Sequence, residues 1–274
     1  MPELPEVEVV RGILDKSLRN RRIIDVDIRY KNIILDEIDS FKNHLMNKEI
    51  MGMDRYGKYL IFKLDKGYIL SHLRMEGKYY YTNDLSIDNK HIHVVFHLDN
   101  GYYLMYQDTR KFGRMKYLED NIYTTPPLSL MGPDLILSDI NLDSIYKKIK
   151  SKRIEIKSIL LDQEILSGLG NIYVDEVLFK SKISPLKKGY KITKKEVNEI
   201  ILNSKEILEK AILCKGTTIK SYTSSLNVKG NYQNFLQVHT KSICPNCKMI
   251  LNRDKIRGRM TYYCKNCQRW LWNN

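Results

Sequence analysis

Apolar residues recur at helical spacing along residues 3–20, where Leu4, Val7, Val10, Leu14 and Leu18 share one face, and the pattern predicts an amphipathic helix. From 22 to 118 the period changes. Short apolar or alternating runs ("YLIFKL", "YILSHL", "KYYYT", "HIHVVFHL", "GYYLMY") are separated by turn signals such as "DKG" and "DNG". This predicts an antiparallel β region, two packed sheets, with one short helix near 37–46. Proline-rich "TTPPLSLMGPD" at 124–134 marks a boundary, after which helical patterns fall at about 141–149, 153–163, 172–181 and 193–213, with a short one near 217–222. Residues 221–235, "SYTSSLNVKGNYQNF", read as a polar, mobile loop, and the tail from 238 as a compact cysteine module. No internal repeat is visible. The chain is expected to be a multidomain α+β protein divided as 1–131, 132–237 and 238–274.

The length, 274 residues, favours more than one domain, and a hydrophobic content of 43% is enough for packed cores. No run approaches the length of a membrane span and the acidic N-terminus is unlike a secretory signal, so a cytoplasmic protein is expected. The net charge of +14 sits entirely in the second half: residues 150–274 hold 24 Lys and Arg against 10 Asp and Glu, whereas residues 1–149 hold 22 of each. A basic half points either to a polyanionic partner such as nucleic acid or to a solvated lysine-rich surface.

Four of the five cysteines form "CPNC" at 244–247 and "CKNC" at 264–267, sixteen residues apart. Each turn lets two thiolates face one ion, so Cys244, Cys247, Cys264 and Cys267 are predicted to ligate one structural Zn²⁺ with no open position. The fifth, Cys214, falls in a helical pattern. Between the pairs, "NRDKIRGRMTYY" suits a basic β-hairpin, with Arg259 near its tip as a solvated residue or a phosphate contact.

Other stretches carry two readings each. His72 in "SHLRMEGK" is a satisfied buried histidine or a site residue. Met75 on the following turn fills a core or wedges between bases. Arg110 and Phe112 in "DTRKFGRM" surround a turn where a basic residue beside an aromatic suits insertion into a base stack. "SGLGNIYVDE" at 167–176 is a tight inter-helix turn or an anion-binding one, with Asn171 capping the helix or meeting phosphate. Lys58 in "RYGKYL" is a surface lysine or a functional amine. In "MPELPEVEVV", Glu3, Glu6 and Glu8 are first of all acids in the opening turns of a helix, where its dipole favours them.

Taken together, the set closely resembles the formamidopyrimidine-DNA glycosylases, bacterial base-excision enzymes that remove oxidised purines. The resemblance spans the chain and rests on "PELPEVE" at 2–8, "GKYL" at 57–60, "HLRMEG" at 72–77, "KHIH" at 90–93, "DTRKFG" at 108–113, "LLDQ" with "GLGNIYVDE" at 160–176, and the two cysteine pairs. It implies an N-terminal β-sandwich flanked by helices, a helix–two-turn–helix domain and a zinc finger. The implied partner is double-stranded DNA containing oxidised purines, met by a monomer without a membrane role.

The resemblance also implies roles. Removal of Met1 leaves Pro2 as the N-terminal secondary amine that attacks C1′ and forms a Schiff base after ring opening. Glu3 moves protons around the sugar, and Glu6 helps hold the N-terminus and DNA. Lys58 matches the proton donor of β-elimination, and Arg259 the finger residue of δ-elimination and phosphate binding. Met75, Arg110 and Phe112 match the triad inserted into the duplex, while His72, His91, Lys152 and Asn171 fall at DNA-contact positions. The loop at 221–235 matches one that closes over a flipped base. Two departures stand out: "HTKSI" at 239–243 replaces a slightly longer link with a tyrosine–glycine step, and "MGPD" replaces Leu-Gly-Pro-Glu. Rival readings are the endonuclease VIII type, acting on oxidised pyrimidines, and a non-catalytic zinc-finger DNA-binding protein. The first usually has Gly where this chain has Leu4 and lacks the Met, Arg-x-Phe set; the second has no use for Pro2, Glu3, Glu6 and Lys58.

Overall fold

The computed structural model describes residues 1–217 and 230–268. The chain forms two compact units, Met1–Ser129 with Lys215–Gly230, and Leu130–Cys214 with Asn231–Asn274. No helix among the described residues is long and apolar enough to cross a membrane.

The first unit opens with helix α1, Leu4–Leu18, which buries Leu4, Val7, Val10, Leu14 and Leu18 as its spacing requires. Strand β1 (Arg21–Ile28) and helix α2 (Ile38–Leu45) follow; the Glu37 side chain caps α2 by accepting the Ser40 amide at 2.7 Å. Seven more strands complete the unit: β2 (Glu49–Tyr56), β3 (Tyr59–Leu64), β4 (Tyr68–His72), β5 (Lys78–Thr82), β6 (Ile92–Leu98), β7 (Tyr103–Gln107) and β8 (Arg114–Leu118). All pairings are antiparallel, in the order β5-β7-β6-β1-β2-β3-β4-β8. β1 belongs to both layers of the sandwich, with an irregularity between Ile23 and Asp25 where it passes from one to the other. The layers meet through buried rings: Phe62 of β3 packs against Tyr79 of β5 at 5.6 Å, and Tyr79 bonds Ser71 of β4 at 2.7 Å. One core, including Val94, Phe96 and Leu104 with Met53, Leu60 and Ile69, fills the space between them.

The second unit contains α3 (Leu142–Lys150), α4 (Ile156–Leu160), α5 (Asn171–Lys180) and α6 (Lys194–Leu213), then the hairpin β9 (Asn252–Ile256) and β10 (Arg259–Tyr263). α5 is buried along its length from Ile172 to Phe179, and packs against α6 and β10. Thr193 and Glu196 close a capping box on α6. The helix expected over 153–163 is shorter, because Glu155 is its N-cap and is held outside it by two cations. Its Oε1 meets Lys188 Nζ at 2.5 Å and its Oε2 meets Arg257 Nε at 3.0 Å. The helix expected near 217–222 and most of the 221–235 loop lie outside the described residues; Tyr232–Asn234 form a single 3-10 turn.

The hydrogen bond from Lys188, with that from Arg257, holds the Glu155 carboxyl at about 2, well below the usual carboxylate range. A depressed folded-state value stabilises the fold above the unfolded value, and that contribution disappears as pH falls toward the folded one. Glu155→Gln should therefore lower the thermal midpoint at pH 6 by an amount worth ~1 kcal/mol or less, given solvent screening of the pair. The gap between variant and parent, followed by circular dichroism, should close between about pH 4.5 and 2. A gap of constant size across that range would contradict this role.

Candidate functional site

At the start of α1 the backbone is held rather than frayed. Pro2, Glu3 and Glu6 are all buried. Glu6 Oε2 accepts the Glu3 amide at 2.9 Å, and Oε1 accepts the Thr217 amide at 2.7 Å and the Thr217 hydroxyl at 3.0 Å. One carboxylate thus ties the N-terminal residues to a segment 211 positions later. Gly216 permits this approach: its φ is +74°, and a Cβ there would lie 2.7 Å from Glu6 Oε1. Thr217 and Gly216 escaped sequence reasoning, since nothing local marks them as partners of Glu6.

Glu8 is more than an acid of the opening turns. Its Oε1 meets Arg11 at 2.7 Å and its Oε2 meets Arg55 Nε at 2.9 Å. The Arg55 side chain is 1% exposed, and its Nη1 donates to the Gly57 carbonyl at 3.0 Å, one residue before Lys58. A buried guanidinium requires such partners, and here they fix the β2–β3 turn that carries Lys58. Lys58 is itself buried. β3 pairs Tyr59 with His72 of β4, and the two rings meet edge to face at 4.6 Å. His72 is buried, and burial, reinforced by Arg74 and Lys58, pushes its ring down to about 3. His72 is therefore neutral near pH 7. Its Nδ1 accepts the Arg74 amide at 2.9 Å, which puts the proton on Nε2 and makes that atom a donor.

Met75 lies half-exposed on the turn after β4, while Arg110 and Phe112 are exposed on the turn after β7, Phe112 to 47%. Phe112 thus projects from its turn and does not join the core. The Arg110 guanidinium stacks over the Phe112 ring, 4.9 Å from its centroid. Both turns close on the buried Tyr106. A Cβ at Gly77 would lie 2.3 Å from the Tyr106 hydroxyl and one at Gly113 would lie 1.7 Å from it, so neither position accepts a side chain. Thr109 on one turn also bonds Glu76 on the other through its hydroxyl. Asp108, fully buried, shapes the second turn: Oδ1 accepts the Arg110 amide at 2.9 Å, and Oδ2 accepts those of Phe112 at 2.9 Å and Gly113 at 2.8 Å. His91 is half-buried, and its carbonyl accepts the Asp108 amide at 3.0 Å. Tyr106 and Asp108 are the braces that sequence reasoning missed; "DTRKFG" contains Asp108, but its residue type reads as a surface acid.

In the second unit Lys152 is exposed between α3 and α4. Asn171 is the first residue of α5 rather than its cap, which is Gly170. Its Nδ2 donates to the Met260 carbonyl at 2.9 Å, and its Oδ1 is buried without a hydrogen-bond partner. Arg259 is exposed at the start of β10, one residue past the Arg257–Gly258 turn. Glu176, buried in α5, accepts the amides of Gln237, Val238 and His239 at 2.8, 3.0 and 2.8 Å, which seats the chain entering the cysteine module.

The Sγ atoms of Cys244, Cys247, Cys264 and Cys267 all lie within 4.8 Å of one another. Cys244 and Cys267 are 3.7 Å apart and Cys247 and Cys264 are 3.5 Å apart. A tetrahedral ion with metal–sulfur bonds of ~2.3 Å sets its ligands about 3.8 Å apart, so the four sulfurs fit one metal. Their chemistry agrees. The Met249 amide draws the Cys247 thiol down to about 6, but burial pushes Cys267 up to about 12, and a bound cation is what allows all four to ionise together.

Comparison with known proteins follows this geometry. Residues 1–115 match the model of the formamidopyrimidine-DNA glycosylase N-terminal domain, and residues 131–223 that of the formamidopyrimidine-DNA glycosylase H2TH domain. A formamidopyrimidine-DNA glycosylase of Oceanobacillus iheyensis is 42% identical over 274 residues, covering 98% of both chains. One from Mycoplasma mobile is 41% identical over 273 residues, covering 98% of this chain and 99% of its own. A Lactococcus lactis FPG mutant in complex with Fapy-dG-containing DNA superposes with a TM-score of 0.91 at 36% identity, over 98% of this chain and 100% of that one. The Lactococcus lactis protein bound to abasic-site DNA gives 0.90 at the same identity and coverage.

Removing the Asp108 carboxylate strands three amides, that of Gly113 buried and those of Arg110 and Phe112 partly buried. Asp108→Ala should cost ~2–4 kcal/mol in denaturant unfolding. Tyr106→Phe, which keeps the buried ring beneath Gly77 and Gly113, should cost less than Asp108→Ala. Equal losses in the two variants would show that the Tyr106 hydroxyl holds these turns as much as the carboxylate does.

Proposed function

The chain belongs to the formamidopyrimidine-DNA glycosylase family and is a DNA glycosylase with abasic-site lyase activity, and we propose that Pro2 is its nucleophile. The substrate is duplex DNA carrying oxidised purines, 8-oxoguanine and formamidopyrimidines, in base-excision repair; the bound Fapy-dG and abasic DNA of the Lactococcus lactis complexes support this. The observation that carries the reading is the N-terminus itself, where Glu6 bridges the Glu3 amide and Thr217 and so fixes the residues around Pro2.

Once Met1 is removed, Pro2 presents a secondary amine. An α-amino group near pKa ~8 keeps a useful neutral fraction at physiological pH, unlike a lysine near ~10. The amine lone pair attacks C1′, the glycosidic bond breaks, and the base leaves with a proton. Ring opening gives the iminium, with Glu3 handing protons to and from the sugar. Loss of a C2′ proton expels the 3′ phosphate, and a second elimination expels the 5′ phosphate; water then releases Pro2. Lys58 is assigned proton donation in the first elimination and Arg259 the phosphate of the second. Met75, Arg110 and Phe112 fill the space vacated by the flipped nucleotide and wedge the opposite strand, which offsets a flipping cost of a few kcal/mol. The braced turns and the exposed Phe112 support that assignment, and the same three residues argue against the endonuclease VIII type. His72, His91, Lys152 and Asn171 contact the DNA. The metal is assigned as one Zn²⁺, whose four thiolates leave no open position, so that it cross-links the finger and takes no part in the reaction. The enzyme works as a monomer in the bacterial cytoplasm, with the chromosome.

Borohydride should trap the protein covalently on 8-oxoguanine DNA, and Pro2→Gly should reduce trapping about ten-fold or more. An N-terminal extension that blocks Met1 removal should abolish it while fold and metal content stay unchanged. Full trapping by the extended protein would sink the assignment of Pro2.

Because His72 is neutral, its contact is a hydrogen bond rather than a charge. His72→Gln should weaken binding to abasic-site DNA and leave the slope of log K against log[salt] unchanged, whereas Lys152→Ala should reduce that slope by about one. A reduced slope for His72→Gln would mean that the ring binds as a cation.

A further inference from the structure

The buried charges of the second unit that the reaction does not use lie together at the root of the finger hairpin. The Lys157 and Asp175 side chains are both 0% exposed, with Lys157 Nζ 2.7 Å from Asp175 Oδ1. Such a pair contributes little net stability, since desolvation offsets the attraction; its effect is on geometry. Lys157 Nζ also donates to the Met260 carbonyl at 2.9 Å, the same carbonyl that Asn171 Nδ2 meets at 2.9 Å. The other carboxylate oxygen faces a different strand of chain. Asp175 Oδ2 lies 2.8 Å from His239 Nδ1 and 3.3 Å from the Tyr262 amide. A carboxylate only accepts, so His239 Nδ1 carries the proton. The His239 ring also lies edge-on to Tyr262, with centroids 5.0 Å apart.

The backbone of β10 is thus gripped at Met260 and at Tyr262, immediately beyond Arg259. The grip comes from α4, from α5 and from the link into the finger, the stretch that departs from the family pattern. Exposed Arg259 has no comparable packing of its own among the described residues, so its placement is inherited from these contacts.

We propose that Asp175 and His239 are positioning residues for Arg259, holding β10 so that its guanidinium meets the phosphate expelled in the second elimination. The proposal rests on the assignment of Arg259 to that step. Misplacement of a group by about 1 Å costs up to ~10²-fold in rate, so loosening the hairpin should weaken this step selectively.

The test uses full-length protein with its natural N-terminus on duplex DNA bearing one abasic site. It reads the ratio of doubly eliminated to singly eliminated product, together with borohydride trapping and bound zinc. Asp175→Asn and His239→Leu should each lower the ratio about ten-fold while trapping and zinc remain. His239→Asn, whose amide offers an N–H at similar reach, should restore the ratio. If Asp175→Asn does not fold, the two His239 variants decide. An unchanged ratio in His239→Leu overturns the proposal. So does no recovery in His239→Asn, or a fall in the ratio that tracks loss of zinc, since either marks a purely structural role. Arg259→Ala separates the two levels. If it leaves the ratio unchanged, the role of Arg259 itself fails and this proposal with it. If it lowers the ratio and His239→Leu does not, only the positioning network fails.

Discussion

A chain terminus is ordinarily the least constrained part of a polypeptide, and the nucleophilic role proposed for Pro2 demands the opposite. The constraint is met by Glu6. Its two oxygens reach backward to the Glu3 amide and outward to Thr217, so the first turn of α1 is closed from both sides. α1 in turn is seated by its apolar face on the sandwich, and Glu8, two residues beyond Glu6, reaches Arg55 and through it the turn that presents Lys58. The amine and the lysine are therefore referred to one rigid element. Buried ionic contacts of this kind are poor sources of net stability and good sources of a unique arrangement, which is what this chemistry needs.

The same logic recurs at the turns carrying Met75, Arg110 and Phe112. The insertion role proposed for these residues requires that they project into solvent without collapsing onto the protein. Here the support lies underneath: Tyr106 fills the space that side chains at Gly77 and Gly113 would need, and Asp108 satisfies three amides of the turn. The exposed side chains on top thus depend on buried polar satisfaction below.

Much of this was legible in the sequence where the signal is local. The period of Leu4, Val7, Val10, Leu14 and Leu18 located α1, alternation located the strands, and the spacing of Cys244, Cys247, Cys264 and Cys267 located a metal site whose sulfurs do converge. The helix over 153–163 was over-extended because apolar spacing says nothing of the cations that pull Glu155 out of it. What stayed hidden is the set of polar partners far apart in the chain. Asp108, Asp175 and Glu8 look like ordinary surface acids, and Thr217 like the start of a short helix. Only the fold shows that Asp175 lies 64 residues from His239 in sequence but 2.8 Å away in space. Residue type and motif suggested the proposed reacting groups; their supports are defined by tertiary contact and leave no local trace.

The Glu6–Thr217 contact also bears on the order in which the protein is made. The first unit is not a continuous stretch: it takes back Lys215–Gly230 after the chain has left it at Ser129. During synthesis the sandwich and α1 emerge early, yet Oε1 of Glu6 has neither Thr217 donor until most of the second unit has followed. On a nascent chain Glu6 therefore lacks its Thr217 donors through most of translation, and the first turn of α1 can be closed from both sides only after residue 217 has emerged. The N-terminal turn proposed to carry the nucleophile is thereby completed only after the helices α3 to α6 have been made.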